Sequence, residues 1–291
     1  MNLTTNNFVT IGIPFYNAED YLEYAIRSVI NQTYLNWELI LLDDGSNDNS
    51  LEIAKAFSDN RIRIISDGTN KGLISRLNQL SSLASGEFYA RMDADDIMHF
   101  DRIALQVEYL KLHRDVDVVG SNYYSIGTNN KIVGSHIQNT RLNSITDVLK
   151  YGCFAHPTVM GRTEWFKKNL YDESCERMED YELWIRTVQA SKFYNLVEPL
   201  LFYRSVGVPT LNKYIKSNIN IIKLLQYRRK YQISFFDSAT CSGLYALKIL
   251  VYFLYYCFGK MDSLVKRRSQ NLIESEKFKA TEILLRSISC K

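Results

Sequence analysis

Over roughly the first 120 residues, short apolar runs alternate with stretches in which apolar residues recur every three or four positions, and a chain with that rhythm has few ways to fold. The runs at 8–14, 37–42, 61–66, 88–92 and 116–121 read as strands. Between them, Ala25, Ile26, Val29 and Ile30, then Leu51, Ile53, Ala54 and Phe57, then Leu73, Leu77 and Leu80, and finally 102–112 carry helical spacing. Asp48 or Asn49 can cap the second of these helices and Gly72 opens the third. Strand and helix in alternation predict an α/β fold with a mostly parallel sheet and helices on both faces. Past Lys131 the rhythm loosens, with strands expected near 131–135 and 158–161 and a helix around 181–190. From Val206 onward no clear strand is visible. Segments 211–229 and 242–259 read as helices, the second nearly all apolar apart from Lys248 and shorter than the roughly 20 residues a membrane crossing needs.

A chain of 291 residues can bury a full core, and the pattern divides it into an α/β domain at 1–205 and a helical extension at 206–291. The net charge of +3 hides an asymmetry: residues 1–205 carry 20 Lys and Arg against 27 Asp and Glu, and 206–291 carry 15 against 5. A basic, aromatic-rich tail on an acidic body suits an anionic surface such as a membrane face; no nucleic-acid partner is expected. Five cysteines without a C-x-x-C pair suggest neither a disulfide framework nor a zinc site. Residues 1–7 are polar and lack the basic start and apolar core of an export signal, so a cytoplasmic protein is expected, peripheral on the inner face of the membrane if the tail docks there.

Chemistry concentrates where strands end. Met92-Asp-Ala-Asp-Asp96 sets Asp93 and Asp95 one residue apart after the fourth strand, an arrangement of hard oxygen ligands suited to a divalent cation carrying phosphate. Asp43-Asp-Gly-Ser46 follows the second strand, and ligands of open α/β sheets collect at such strand ends. A loop of solvated acids and an ordinary Asp-Gly turn are the plainer readings of the two clusters.

In that order and at those separations, Ile13-Pro-Phe-Tyr-Asn17, Asp43-Asp-Gly-Ser46, Asp93-Ala-Asp95 and Glu179-Asp180 resemble family 2 glycosyltransferases of the GT-A fold over about residues 8–205. The resemblance implies transfer of a sugar from a nucleotide-diphosphate donor, a UDP-sugar by expectation, to a saccharide or lipid-linked acceptor with inversion at the anomeric carbon. Asp95 is then the direct ligand of Mn²⁺ or Mg²⁺, with Asp93 ligating through water or contacting ribose, and Ala94 beside them on the donor. Asp44 reads the base, with Pro14 and Tyr16 beside it. Asn70-Lys71-Gly72 resembles the family's turn into a helix facing the nucleotide, where backbone N–H groups and a cation meet phosphate. The family often has Arg immediately before the Asn matching Asn78; that position is Leu77, and Arg76 stands one residue early. Either a phosphate contact or a solvated helix face is open to it.

Asp180 is the candidate base for the acceptor hydroxyl, although an acid at a helix N-terminus also has a purely structural use. His156 either lines the acceptor side or is structural. Trp184 falls near the Gln-x-x-Arg-Trp of processive synthases but the local order differs, so single-sugar addition in surface polysaccharide or glycolipid assembly is expected. Two other classes compete. A membrane-docked nucleotide-binding module without transferase activity would keep the fold and lose the chemistry. A dinucleotide-dependent oxidoreductase needs a G-x-G-x-x-G after the first strand, which 12–17 does not supply. A D-x-D also opens haloacid-dehalogenase-type phosphatases, but Ile97 and the late placement fit that pattern poorly.

Overall fold

The computed structural model describes residues 7–137, 142, 144–205, 210–261 and 270–289. Its first half alternates as the sequence requires: β1 (Val9–Phe15), α1 (Leu22–Ile30), β2 (Trp37–Asp43), α2 (Ser50–Lys55), β3 (Ile62–Ser66), α3 (Leu73–Leu83) and β4 (Phe88–Arg91). Then come β5 (Ile97–Met98), α4 (Arg102–Leu112), β6 (Val118–Ile126), β7 (Ile132–His136), α5 (Ile145–Tyr151), a 3-10 turn His156–Thr158, β8 (Met160–Arg162) and α6 (Thr163–Lys168). The chain continues through α7 (Glu179–Thr187), β9 (Phe193–Arg204), α8 (Leu211–Gln226), α9 (Phe235–Cys257) and the helix here called α10 (Glu274–Ile288). One nine-stranded sheet runs β3-β2-β1-β4-β8-β6-β9-β5, with β7 on β6.

Strands β1 to β4 pair in parallel, whereas β8 joins β4 and β6 antiparallel and β5 joins β9 antiparallel. The parallel half therefore brings four strand ends to one edge: Phe15 pairs with Asp43, Asp43 with Ser66, and Gly12 with Arg91. Period-two alternation divides the core into two layers. Leu39 and Leu41 turn toward α1, while Ile40 and Leu42 turn toward α3. Gly12 is required where Tyr89 crosses β1, because a Cβ there would lie 2.7 Å from the Tyr89 hydroxyl.

Beyond β6 the sequence pattern is incomplete. The strand β9 and the helices α5, α6 and α10 carry no clean period, since each packs on more than one neighbour. The extension shares the α/β core: Leu224, Leu225, Tyr231, Ile233, Cys241 and Tyr245 cluster with Leu77 and Trp184. Leu284 of α10 packs with Ile97, Ile126 and Phe202. Val206, where the extension is expected to begin, lies outside the described residues. The apolar helix is longer than 242–259. Ser234 accepts the Asp237 N–H at 3.0 Å and starts α9 early, giving 23 residues, long and apolar enough by length and composition to cross a membrane.

Candidate functional site

The site is built on the C-terminal ends of the parallel strands. Asp44 leaves β2 with its N–H donating to Phe15 O at 2.8 Å, which sets it next to Tyr16, a residue 46% exposed. Pro14 pairs with Leu42 inside the sheet. Asp43 is buried and accepts from Ser46 N–H and from the Ser66 hydroxyl, stitching the loop to β3. Gly45 at φ +75° lets this loop lie against the next one, since a Cβ would come 2.9 Å from Asn70 N.

Asp44 itself faces inward. Its Oδ1 accepts from Lys71 N–H at 2.7 Å and Arg76 Nε at 2.8 Å, and its Oδ2 from Gly72 N–H at 3.0 Å. The turn 70–72 therefore gives the Lys71 and Gly72 N–H groups to a carboxylate of the chain rather than leaving them for phosphate, and the Lys71 ammonium pairs with Asp67 at 2.6 Å. Arg76 departs from both sequence readings. It is neither solvated nor open to a phosphate, because it is fully buried and all five N–H donors are taken by Asp44, Asp67, Gln79 and Thr69 O. Asp67 is held below the ordinary carboxylate range, first by Arg76 and then by Lys71.

The second half of the site follows β4. Asp93, Asp95 and Asp96 each offer an oxygen within 4.8 Å of the others. Buried Arg91 forks onto both oxygens of Asp93, at 2.5 and 3.0 Å. Asp95 is pushed up to about 6, by burial first and then by Asp93. Asp96 is raised well above its usual range by burial, Asp93 and Asp95; its Oδ2 is buried without a hydrogen-bond partner, while Oδ1 accepts the Arg204 N–H at 2.8 Å. Ala94 is nearly buried between them. Three crowded carboxyl groups, one with an orphaned oxygen, fit a divalent cation. Arg204 closes the cluster from β9, donating from Nε to Asp95 O at 2.6 Å and stacking over the Tyr21 ring at 4.1 Å.

Asp180 stands in the first turn of α7, half-buried, with one oxygen accepting the Tyr181 N–H at 2.8 Å. Burial raises its pKa; the Arg91 guanidinium pulls it down and Asp93 pushes it up, so it senses the charges of the β4 motif. Glu179 beside it is raised by burial and by Asp180. An open cleft of about 750 Å³ joins the start of α3 to the approach to α7, with Lys71, Gly72, Ser75, Arg177 and Glu179 on its walls. His156 donates to or accepts from the Tyr171 hydroxyl at 2.8 Å, and burial followed by Arg91 keeps its pKa well below the usual value. Trp184 is a core residue, stacked on Trp165 with ring centroids 6.0 Å apart and edge-on to Phe154 at 4.9 Å. Three residues not singled out from sequence belong to this region: Asp96, Arg91 and Arg204. Asp96 stood in the motif; the two arginines gave no signal, because their partners are set by strand pairing.

Residues 10–170, more than half of the chain, match the model of glycosyl transferase family 2. The chain belongs to that family. A putative glycosyltransferase of Bacillus subtilis, EpsE, is 36% identical over 202 residues, covering 66% of this chain and 71% of its own. An Escherichia coli enzyme, WfgD, named a UDP-Glc:alpha-D-GlcNAc-diphosphoundecaprenol beta-1,3-glucosyltransferase, is 35% identical over 179 residues, 61% of this chain and 68% of its own. Among solved structures, Staphylococcus aureus TarS 1–349 in complex with UDP-GlcNAc superposes with a TM-score of 0.62 at 18% identity, over 97% of this chain and 82% of TarS. A Pyrobaculum calidifontis mannosyltransferase in complex with GDP-Man and Mn²⁺ gives 0.55 at 14% identity, over 96% and 85%. This family-2 glycosyltransferase thus has the GT-A fold, with its C-terminal helices folded onto the same core.

Proposed function

We propose that the enzyme transfers a single sugar from a UDP-sugar to a lipid-linked saccharide at the cytoplasmic face of the membrane, inverting the anomeric carbon, in surface polysaccharide or glycolipid assembly. The observation that carries the reading is the cluster of Asp93, Asp95 and Asp96, whose carboxylate oxygens lie within 4.8 Å of one another at the end of β4, with Asp180 of α7 near enough to feel both Arg91 and Asp93. Donor and acceptor chemistry meet in such an arrangement. The donor name of WfgD and its lipid diphosphate acceptor support the substrate classes, and the intact motifs favour an enzyme over a binding module.

In this reading Tyr16 covers one face of the base and Asp44 accepts its imide N–H through the lone pair of Oδ2 left by the single bond to Gly72. Asp95 and Asp93 hold Mn²⁺ or Mg²⁺, with Asp96 completing the cluster; the bound cation supplies charge stabilisation for the departing diphosphate. Arg91 fixes Asp93 and Arg204 fixes the backbone of Asp95, so the ligands are held in place before a donor arrives. Asp180 takes the proton of the acceptor hydroxyl as that oxygen attacks from the face opposite the leaving group. Asp44 is positioned by Arg76, which acts on the nucleotide only through it. Incubation with a panel of nucleotide-sugars and a lipid-diphosphate-linked N-acetylhexosamine, scored by nucleoside diphosphate release with Mn²⁺, Mg²⁺ or chelator, tests the proposal. Turnover with a UDP-sugar and cation is expected; cation-independent release, or release with no acceptor product, would contradict it.

A further inference from the structure

Helix α9 is held by one stripe and largely exposed on its opposite arc. Ser238, Cys241, Tyr245 and Tyr252 are its buried residues, a spacing that keeps them on one side. Along this seam the Ser238 hydroxyl donates to Leu225 O at 2.8 Å, Tyr245 meets Tyr181 edge-on, and Tyr252 stacks on Tyr214 at 3.7 Å. The opposite arc exposes Leu244, Leu247, Leu250, Val251, Leu254 and Phe258. Between 243 and 258 the only charged side chain is Lys248, drawn over the Tyr245 ring at 4.2 Å. A contiguous apolar surface of this extent marks a contact rather than a solvated face.

The charges around it select the partner. Residues 206–260 contain eight Lys and Arg and one acid, Asp237. Arg228 and Arg229 precede the helix, with the Arg228 guanidinium over the Phe235 ring at 5.3 Å, and Lys260 follows it. Apolar side chains bracketed by cations complement an anionic lipid leaflet, whereas two copies of this face would oppose like charges. A crossing is excluded by the chain's return. Ile233 ahead of α9 is in the core; Gln270 pairs with Ser135 after it, and Asn31 Nδ2 donates to Ser287 O and Ser289 O at 2.9 and 2.6 Å. One span would put these partners on opposite sides of a bilayer.

We propose that α9 lies in the plane of an anionic membrane leaflet, with its Leu247–Leu250–Leu254 arc in the interface and without crossing it. The proposal extends the reading above, since Tyr181 of the seam adjoins Asp180 and brings the base within one helix layer of the lipid surface. The test is flotation of the full chain with phosphatidylcholine vesicles, with and without phosphatidylglycerol, for the wild type and Leu247→Glu/Leu250→Glu, followed by a carbonate wash. Unfolding temperature and UDP-induced stabilisation are read in parallel. Recovery should require the anionic lipid, fall at least about tenfold in the variant and be released by carbonate. Leu254→Glu, a single exposed position, carries the same expectation if the double variant does not fold. Equal recovery with neutral vesicles, undiminished recovery of folded variants, or retention through the wash would overturn the proposal. A wild-type dimer that both variants disrupt without changing flotation would assign the arc to a second copy. Loss of UDP stabilisation with normal flotation would count against the donor reading alone.

Discussion

Replacing Arg76 with Leu separates a buried strut from a nucleotide ligand. The guanidinium is fully buried, and its removal leaves Asp44, 6% exposed, without its charged partner among the described residues. Breaking a buried pair by deleting one member costs about 3–5 kcal/mol. Asp44 keeps two backbone N–H bonds, from Lys71 and Gly72, and the Asp67 arm lies at the surface, where pairing contributes little, so the lower end of about 3 kcal/mol applies. In a protein of this size that corresponds to a fall in unfolding temperature of roughly 5 °C. Thermal unfolding without nucleotide measures it, and calorimetric titration of UDP follows the loosened 67–72 turn as a weakened affinity. If the unliganded protein unfolds within a degree or two of wild type while donor KM rises steeply, Arg76 touches the donor and the reasoning is wrong.

Other consequences follow from the charges of the site. Asp95→Asn should lower turnover by roughly 10² to 10³ and abolish the calorimetric signal of Mn²⁺ binding, without lowering the unfolding temperature of the cation-free protein, because it relieves a crowded acid. The sign is set by Asp95: its folded pKa of about 6 is above the unfolded value of 3.8, so its proton stabilises the fold fully below the unfolded value and that contribution is lost as pH rises from there through about 6. The cation-free wild type should therefore lose stability over that window more steeply than Asp95→Asn. Asp180 is raised in the same direction, so the acid limb of the transfer rate should lie at higher pH than an ordinary carboxylate would give, and activity should be lost as pH falls through it. Tyr171→Phe leaves His156 Nε2 without its partner and should cost about 1–3 kcal/mol by chemical denaturation; an unchanged midpoint would mean that water replaces the hydroxyl.

The parts of the fold legible in the sequence are those where one period dominates. The strands β1, β2 and β4 are apolar runs buried on both faces, the helices between them each bury one stripe, and the acids at the strand ends could be read as a site before any contact was known. The roles of Asp44 and Arg76 could not, because a strand-end carboxylate and a helix N-terminus 27 residues away satisfy each other only once β2 and β3 pair. Trp184 falls near the place of the tryptophan of processive synthases in the sequence. Its ring is instead the meeting point of Trp165 of α6, Phe193 of β9 and Phe154 of the loop after α5. The length of α9 was hidden by Ser242 and Gly243, which read as a start and lie within the helix.

In the proposed mechanism Asp180 and the β4 acids serve one transfer reaction from opposite sides. Asp180→Asn with donor binding and transfer measured separately tests it most directly, using UDP titration for the first and single-turnover product formation for the second. Near-normal UDP affinity is expected, with a transfer rate reduced by roughly 10² to 10⁴ and residual product of inverted anomeric configuration. Loss of UDP affinity with an unchanged rate constant for bound donor, or a product of retained configuration, would contradict it.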